Sequence, residues 1–170
     1  MQKGNIAKNI LFQFEMIHLA TTIEEVREAV DRAKGILEDC GASVDVTADQ
    51  LWDWFETDLP IGDTEELGEI ITNSLLVIHE LVEIDEVLNM GLAITKDVIV
   101  ENPEKVDTAH LKAARVELMV AKAIGETDHI RDMCAAIENW CVDKTVSEIN
   151  RVEYRKLLSE AKSCLAGLAL

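Results

Sequence analysis

Three histidine–glutamate pairs in this chain have the spacing of metal ligands on an α-helix. Side chains three or four residues apart project from the same face of a helix, so each pair could hold one metal ion between an imidazole nitrogen and a carboxylate oxygen. The spacing therefore predicts a helical metal site as one function of the chain. The pairs are Glu15 with His18, Glu126 with His129, and His79 with Glu83.

The Glu-x-x-His spacing resembles that of the helical-bundle di-iron carboxylate proteins, in which such pairs are metal ligands. The resemblance implies a metal centre of that kind as an alternative function. The chain departs from that family because Glu126 and His129 lie where we predict the start of a helix. A simpler interpretation is that His18 borders an apolar face and that Glu126 interacts favourably with the positive N-terminal end of the helix dipole.

A second chemical pattern consists of two Glu-x-x-Glu pairs, which resemble the paired carboxylates of the MazG-like all-α nucleoside triphosphate pyrophosphohydrolases. The resemblance implies that acids on adjacent helices hold Mg²⁺ against the triphosphate and that a water is activated for attack. The chain departs from that family because its second pair ends in Glu83 where an aspartate is usual, and this region has no Lys or Arg for the phosphates. The implied metal ligands are Glu66, Glu69, Glu80 and Glu83.

Motifs for nucleophilic catalysis and phosphate binding are not recognised in the chain. No Ser, Cys or Thr lies in a nucleophile motif, and the sequence has no glycine-rich phosphate loop. His110, in the stretch AHLKAARVE, could accept a phosphoryl group, but the residues that follow do not support that chemistry. We therefore predict that His110 borders the core.

The stretch LWDWF, residues 51–55, holds three of the seven aromatic residues and predicts a partner-binding helix. Leu51 and Phe55 share one face and should pack inward, whereas the two indoles point in roughly opposite directions. An exposed Trp among acids is a frequent anchor of protein interfaces. The alternative is that the helix is a lid that buries both indoles. The residues predicted to bind a partner are Trp52, Asp53, Trp54, Glu56 and Asp58.

The net charge of −17 is concentrated in the middle of the chain. Fifteen Asp and Glu residues lie between Lys34 and Lys96, and no Lys or Arg does. Because contacts to a phosphate backbone need Lys and Arg, this composition argues against nucleic acid as a partner. It favours a divalent cation or a basic partner, and the alternative is that the acids only keep the protein soluble.

These features together predict a binding or scaffolding module. Residues 45–90 would present an acidic, aromatic surface to a basic protein or peptide, or to a second copy of the chain. No cofactor is expected for that function. Mg²⁺ belongs only to the alternative of nucleotide pyrophosphate hydrolysis, and a di-iron-like metal centre is the second alternative.

The composition predicts a single all-α domain over residues 1–170. Apolar residues make up 48% of the chain, and its 2 Pro and 8 Gly are too few for the frequent turns of β-sandwiches and barrels. No run of about 18 apolar residues and no signal peptide is recognised, so we predict a cytoplasmic protein without a membrane partner. The four Cys have no C-x-x-C spacing, which favours reduced thiols.

Apolar periodicity predicts seven or eight helices arranged as antiparallel αα-hairpins. The similarity of residues 76–87 to residues 14–26 predicts a helix break near Val82–Ile84. Helix starts are predicted at Thr22-x-x-Glu25, Thr47-x-x-Gln50, Asn102-Pro103 and Thr145-x-x-Glu148. The predicted hairpin units cover residues 4–40, 64–101 and 104–141, with a short aromatic helix at 48–57 and a C-terminal helix at 146–168.

The hairpin pattern resembles tetratricopeptide-like helical repeats, most clearly in AKAIGETDHIRDMCAAIENW, residues 121–140. The resemblance implies a scaffold that binds a peptide or a protein in a concave groove. The copies lie 61 and 43 residues apart, which departs from the family's period of about 34. Ile130 and Ile137 also stand where that family has small residues.

Overall fold

The computed structural model describes residues 21–56 and 67–168, and these residues form eight α-helices and no strand. The all-α class predicted from the composition is therefore confirmed. The helix predicted for residues 4–20 lies outside the described residues. In chain order the helices are α1 Ile23–Asp39, α2 Ala48–Glu56, α3 Leu67–Ile70, α4 Ser74–Asn89, α5 Val98–Glu101, α6 Pro103–Ile124, α7 Thr127–Trp140 and α8 Glu148–Leu168.

Helix α4 lies at the centre of the fold because it is apolar on almost every side. It packs along α6 and also contacts α1, α2 and α3. A helix that is hydrophobic all round has to be buried, and Leu81, Val82 and Ile84 are all buried here. The same packing carries the two polar residues His79 and Glu83 into the core.

The predicted break near Val82–Ile84 is wrong, because α4 runs without interruption through that segment. Its true ends carry ordinary end signals. The side chain of Asn73 accepts a hydrogen bond from the backbone N–H of Leu75 at 2.9 Å, and Gly91, just past the last turn, has φ of 77°. Continuous apolar burial holds the helix together, so the internal sequence similarity does not mark a helix end.

Two predicted capping sequences are confirmed at α1 and α2. Thr22 and Glu25 bond reciprocally, with the Glu25 N–H donating to the Thr22 hydroxyl at 3.3 Å and the Thr22 N–H to the Glu25 carboxylate at 2.7 Å. In the same way, the Gln50 N–H donates to the Thr47 hydroxyl at 3.2 Å and the Thr47 N–H to the Gln50 side-chain oxygen at 2.8 Å. Each pair satisfies backbone N–H groups that lack partners inside the helix.

The capping residue predicted for the C-terminal helix is wrong by two positions. Asp143 accepts hydrogen bonds from both the N–H and the hydroxyl of Thr145, at 2.8 and 2.7 Å. The Thr145 hydroxyl is therefore directed to Asp143 and not to the start of α8. Ser147 caps α8 instead, since its hydroxyl accepts from the Asn150 N–H at 3.1 Å.

Helices α6, α7 and α8 form the second half of the core. Gly125, with φ of 81°, ends α6, and Glu126 completes the two-residue link to α7. Helix α7 packs on α8, and α8 also packs on α6. The face of α6 that lies between α4 and α8 is therefore in the middle of the molecule. Among the described residues, no helix combines the length and the apolar character that crossing a membrane requires.

Candidate functional site

A cluster of histidine, carboxylate and other polar side chains lies where α4, α6, α7 and α8 meet. Charged side chains are rarely buried unless they are paired, because removing an ion from water costs several kcal/mol. In the described part of the chain, every buried side-chain nitrogen or oxygen has a hydrogen-bond partner. The buried cluster consists of His79 and Glu83 on α4, Asp107, His110 and Glu117 on α6, His129 on α7, and Asn150 and Tyr154 on α8.

Glu117 joins two histidines in this cluster. One carboxylate oxygen lies 2.7 Å from His79 Nδ1, and the other lies 2.5 Å from His129 Nε2. Burial by itself would raise the pKa of Glu117, but the hydrogen bonds from His129 and His79 lower it to about 2. Because an ionised carboxylate only accepts hydrogen bonds, both imidazoles donate to it. Glu117 thereby holds a proton on Nδ1 of His79.

The second nitrogen of His79 points toward Glu83. His79 Nε2 and Glu83 Oε2 are 3.5 Å apart, longer than a strong hydrogen bond. Burial by itself would lower the pKa of His79, but Glu117, Glu83 and the more distant Glu80 raise it well above its ordinary value. The imidazole therefore holds its charge between two carboxylates, a position in which a divalent cation would compensate the same negative charges.

His110 is oriented by a chain of hydrogen bonds from α6 to α8. The Tyr154 hydroxyl donates to Asp107 at 3.2 Å, and Asn150 donates to the other oxygen of Asp107 at 2.5 Å. Since the tyrosine proton is already used, His110 Nδ1 must donate to the Tyr154 oxygen, 2.8 Å away. Burial lowers the pKa of His110, which favours the neutral ring with its Nε2 lone pair available as a ligand. The Trp140 ring packs edge-on against this imidazole, with centroids 4.5 Å apart.

The two oriented imidazoles and one carboxylate converge on a single point. Candidate ligand atoms of His79, Glu83 and His110 all lie within 4.8 Å of one another. Ligands at about 2.1 Å from a metal ion lie roughly 3 to 4 Å apart, so a small contraction would bring all three into coordination. Metal-binding histidines usually donate their other ring N–H to a carboxylate, carbonyl or water, and Glu117 and Tyr154 accept those bonds here.

A cavity of about 230 Å³ adjoins this point, and Glu83 and His110 form part of its wall. A ligand in the cavity would therefore lie next to a metal ion held by the three side chains. The remaining wall is acidic and aromatic. The carboxylates that line it are Glu80, Glu83, Asp107 and Asp143, and the aromatic side chains are Trp54, Phe55, Trp140 and Tyr154.

The four glutamates implied as Mg²⁺ ligands are only partly brought together. Glu80 and Glu83 both line the cavity. Glu69, on the single turn α3, is exposed and is not part of the cavity wall, whereas its neighbour Ile70 is. Glu66 lies outside the described residues.

Of the two histidine–glutamate pairs that lie in the described part of the chain, the pair on α4 is brought together in the buried cluster. Glu126 is exposed at the start of α7, while His129 turns inward to Glu117, so these two side chains do not converge on one ion. Glu15 and His18 lie outside the described residues.

The two tryptophans of helix α2 do not protrude from the surface as an exposed interface anchor would. Trp54 is only 2% exposed and lines the cavity, Trp52 is half-buried against the core, and Asp53 is exposed. Leu51 packs inward as predicted, and Phe55 is half-buried. The side chain of Glu56 and all of Asp58 lie outside the described residues.

Sequence reasoning missed the contribution of α6 and α8 to the cluster. Glu117 follows His110 by seven residues, two helical turns, and so lies on the same buried face, which is a signal that the sequence does carry. Glu104-x-x-Asp107 is a second signal, because it is an acidic pair that ends in Asp and begins the helix packed on α4. No comparable signal marks Asn150 or Tyr154.

Comparisons with protein-family models, with curated proteins and with solved structures find no match for this chain. We therefore infer function from the geometry of the buried cluster and its cavity.

Proposed function

We propose that this protein holds one divalent transition-metal ion at His79, Glu83 and His110 and presents it to a ligand in the adjoining cavity. The observation that carries the proposal is the orientation of the two imidazoles. Each ring uses Nδ1 for a hydrogen bond to a fixed acceptor, Glu117 or Tyr154, so Nε2 is the nitrogen that would bind the ion. In His79 the ion would replace the Nε2 proton that faces Glu83.

The ligand set suits metals that accept both nitrogen and oxygen donors. Two histidines and one carboxylate are the protein ligands of catalytic Zn²⁺ sites and of non-haem Fe²⁺ sites, and in both cases open coordination positions serve water or substrate. Such an ion supplies Lewis-acid activation of whatever binds beside it. The proposal retains the metal-protein alternative drawn from the sequence, but with His110 in place of the predicted Glu126–His129 and Glu15–His18 pairs.

The test is a thermal melt of metal-depleted protein with added Zn²⁺, Mn²⁺, Mg²⁺ or, under anaerobic conditions, Fe²⁺. An ion present at 100 times its Kd stabilises the fold by about 2.7 kcal/mol. For a chain of this size that free energy raises Tm by roughly 5–11 °C. We expect the rise with at least one transition metal, and we expect His110→Gln to lose it.

Glu126→Gln is the control, because it removes an exposed carboxylate from a predicted metal-binding pair that the structure does not bring together. It should keep the full metal-dependent rise in Tm. Far-UV circular dichroism of metal-free His110→Gln establishes that the variant folds. If no transition metal raises Tm, or if His110→Gln responds like the unchanged protein, the proposal is wrong.

A second candidate is the Mg²⁺-dependent hydrolysis of nucleotide pyrophosphates. The observation that favours it is that Glu80 and Glu83 on α4 and Asp107 on the adjacent α6 line one cavity. Carboxylates on neighbouring helices are what Mg²⁺ bound to a triphosphate requires. Release of pyrophosphate from nucleoside triphosphates tests this candidate. It requires activity that Asp107→Asn abolishes and that depends on Mg²⁺, whereas the transition-metal site requires His110.

The scaffolding function predicted from the sequence stays a separate proposal. It is supported by the exposed Asp53 and the half-buried Trp52 of α2. Trp54 no longer supports an outer docking surface, because its indole belongs to the cavity wall.

A further inference from the structure

The wall of the cavity combines two kinds of group that both attract positive charge. Four carboxylates come from α4, from the start of α6 and from the connection between α7 and α8, and four aromatic rings come from α2, α7 and α8. No Lys or Arg is among the described residues that line it. The faces of aromatic rings attract cations through their quadrupole, most strongly those of Trp.

Hydrogen bonds hold two of these carboxylates in place in the wall of the cavity. Asp143 is held by the N–H and hydroxyl of Thr145, and these bonds keep its pKa below its ordinary range. Asp107 accepts hydrogen bonds from Tyr154 and Asn150, which satisfy it as an acceptor. The cavity therefore repels phosphates and carboxylates and selects against anionic ligands.

A bound metal ion does not reverse this preference. The two charges of the ion would be balanced by Glu83, its ligand, and by Glu117, which bonds to His79. The carboxyl groups of Asp107 and Asp143 would still line the cavity. A second positive group is therefore accommodated beside the ion.

The size of the cavity indicates how large a group it can enclose. A volume of about 230 Å³ equals roughly eight water molecules at about 30 Å³ each. A quaternary or primary ammonium compound with seven or so non-hydrogen atoms is of that order.

We infer that the cavity binds a small alkylammonium cation, with its charged nitrogen against Trp54 and Trp140 and among the carboxylates. Because this ligand would face the proposed metal centre, its role as a substrate rests on the proposed function. Its binding, however, depends on the cavity wall and is measurable in metal-free protein.

The test measures tryptophan fluorescence of metal-free protein during titration with two cations and their uncharged counterparts. The pairs are choline with dimethylbutanol, its carbon isostere, and butylammonium with butanol. Two of the three tryptophans of the chain line the cavity, so an occupant should change the emission. We expect at least one cation to bind tenfold or more tightly than its uncharged counterpart, with affinity that falls as salt is added.

Matched variants locate the binding. Asp143→Asn removes a carboxylate from the wall, and Asp132→Asn removes the same charge from the exposed side of α7. Asp143→Asn should weaken cation binding at least threefold, while Asp132→Asn should leave it unchanged. Both positions are exposed, and asparagine keeps an oxygen that can accept the hydrogen bonds from Thr145, so neither variant is expected to disturb folding.

Several results would overturn the inference. They are equal binding of cations and uncharged counterparts, tighter binding of inorganic triphosphate than of either cation, and equal effects of the two aspartate variants. Loss of cation binding with intact metal binding would refute this inference alone. Loss of metal binding with intact cation binding would refute the proposed function and the substrate role, and the cavity would stand as a cation-binding site.

Discussion

Replacing Glu117 by Gln changes the group that orients His79 and His129. Glutamine keeps the shape of glutamate but has one acceptor oxygen instead of two, and it carries an NH₂ group. One imidazole therefore keeps its acceptor, and the N–H of the other meets a second donor. The variant should lower both the stability of the protein and the affinity of the proposed metal site.

The expected magnitude follows from the two hydrogen bonds of 2.7 and 2.5 Å that Glu117 accepts. A hydrogen bond to a charged group contributes about 1.5–3 kcal/mol, and one of the two is lost in a buried position. We expect the free energy of unfolding to fall by about 2–3 kcal/mol, which lowers Tm by roughly 4–12 °C for a chain of this size. Loss of the partner of a metal-binding histidine should weaken metal binding about 10- to 100-fold.

Urea unfolding of the metal-free protein measures the first quantity, and calorimetric titration with Zn²⁺ or Mn²⁺ measures the second. Glu126→Gln is the control, because it makes the same chemical change at an exposed residue that forms no capping hydrogen bond. The control should change stability by less than about 0.5 kcal/mol. If Glu117→Gln matches the control in both measurements, Glu117 does not orient these histidines and the reasoning is refuted.

Three further predictions concern other parts of the fold. Thr22→Ala removes the hydroxyl that accepts the hydrogen bond of the Glu25 N–H at the start of α1, so urea unfolding should show that the free energy of unfolding falls by about 1 kcal/mol. An unchanged free energy of unfolding would mean that the capping box is not formed in solution. Leu157→Ala empties a fully buried position on α8 and should cost about 2–5 kcal/mol in the same assay, against less than about 0.5 kcal/mol for Val142→Ala at a position 73% exposed. Burial, with the nearby Asp107 carboxylate, raises the pKa of Tyr154. The folded protein should therefore keep the phenolic proton above about pH 10, where the unfolded chain loses it. The contribution of Tyr154 to stability should be complete below that pH and should fall as the pH rises. Phenolate absorbance that appears in the folded protein at the ordinary pKa of tyrosine would contradict this prediction.

The helices could be predicted from the sequence because their causes are local. Apolar spacing and capping pairs such as Thr22 with Glu25 act within one or two turns, and the structure confirms them. The break predicted at Val82–Ile84 is wrong because internal similarity does not end a helix, whereas Asn73 and Gly91 carry the physical signals of its ends. The burial of Trp54 was also not predictable from one helix, since α2 is covered by the core on one side and borders the cavity on another.

The sequence predicted only part of the candidate site. His79 and Glu83 were recognised because helical spacing alone brings them together. Their approach to His110 depends on how α4 packs along α6, and Tyr154 reaches His110 from a helix that begins far along the chain. Such encounters between distant residues follow from tertiary packing, for which a single sequence carries little signal.

Because the buried cluster draws side chains from four helices, an ion bound there would be visible far from its ligands. Some amide hydrogens exchange only when the whole bundle unfolds. The ion lowers the unfolded population, and the exchange rate of these hydrogens would fall by the same factor. Amides that exchange through fraying helix ends would be unaffected. Exchange rates measured with and without metal would therefore separate the helices that unfold as one unit from the segments that open on their own. Helices α4, α6, α7 and α8 should respond together, and the behaviour of α1 and α2 would establish whether the two halves of the core form a single cooperative unit.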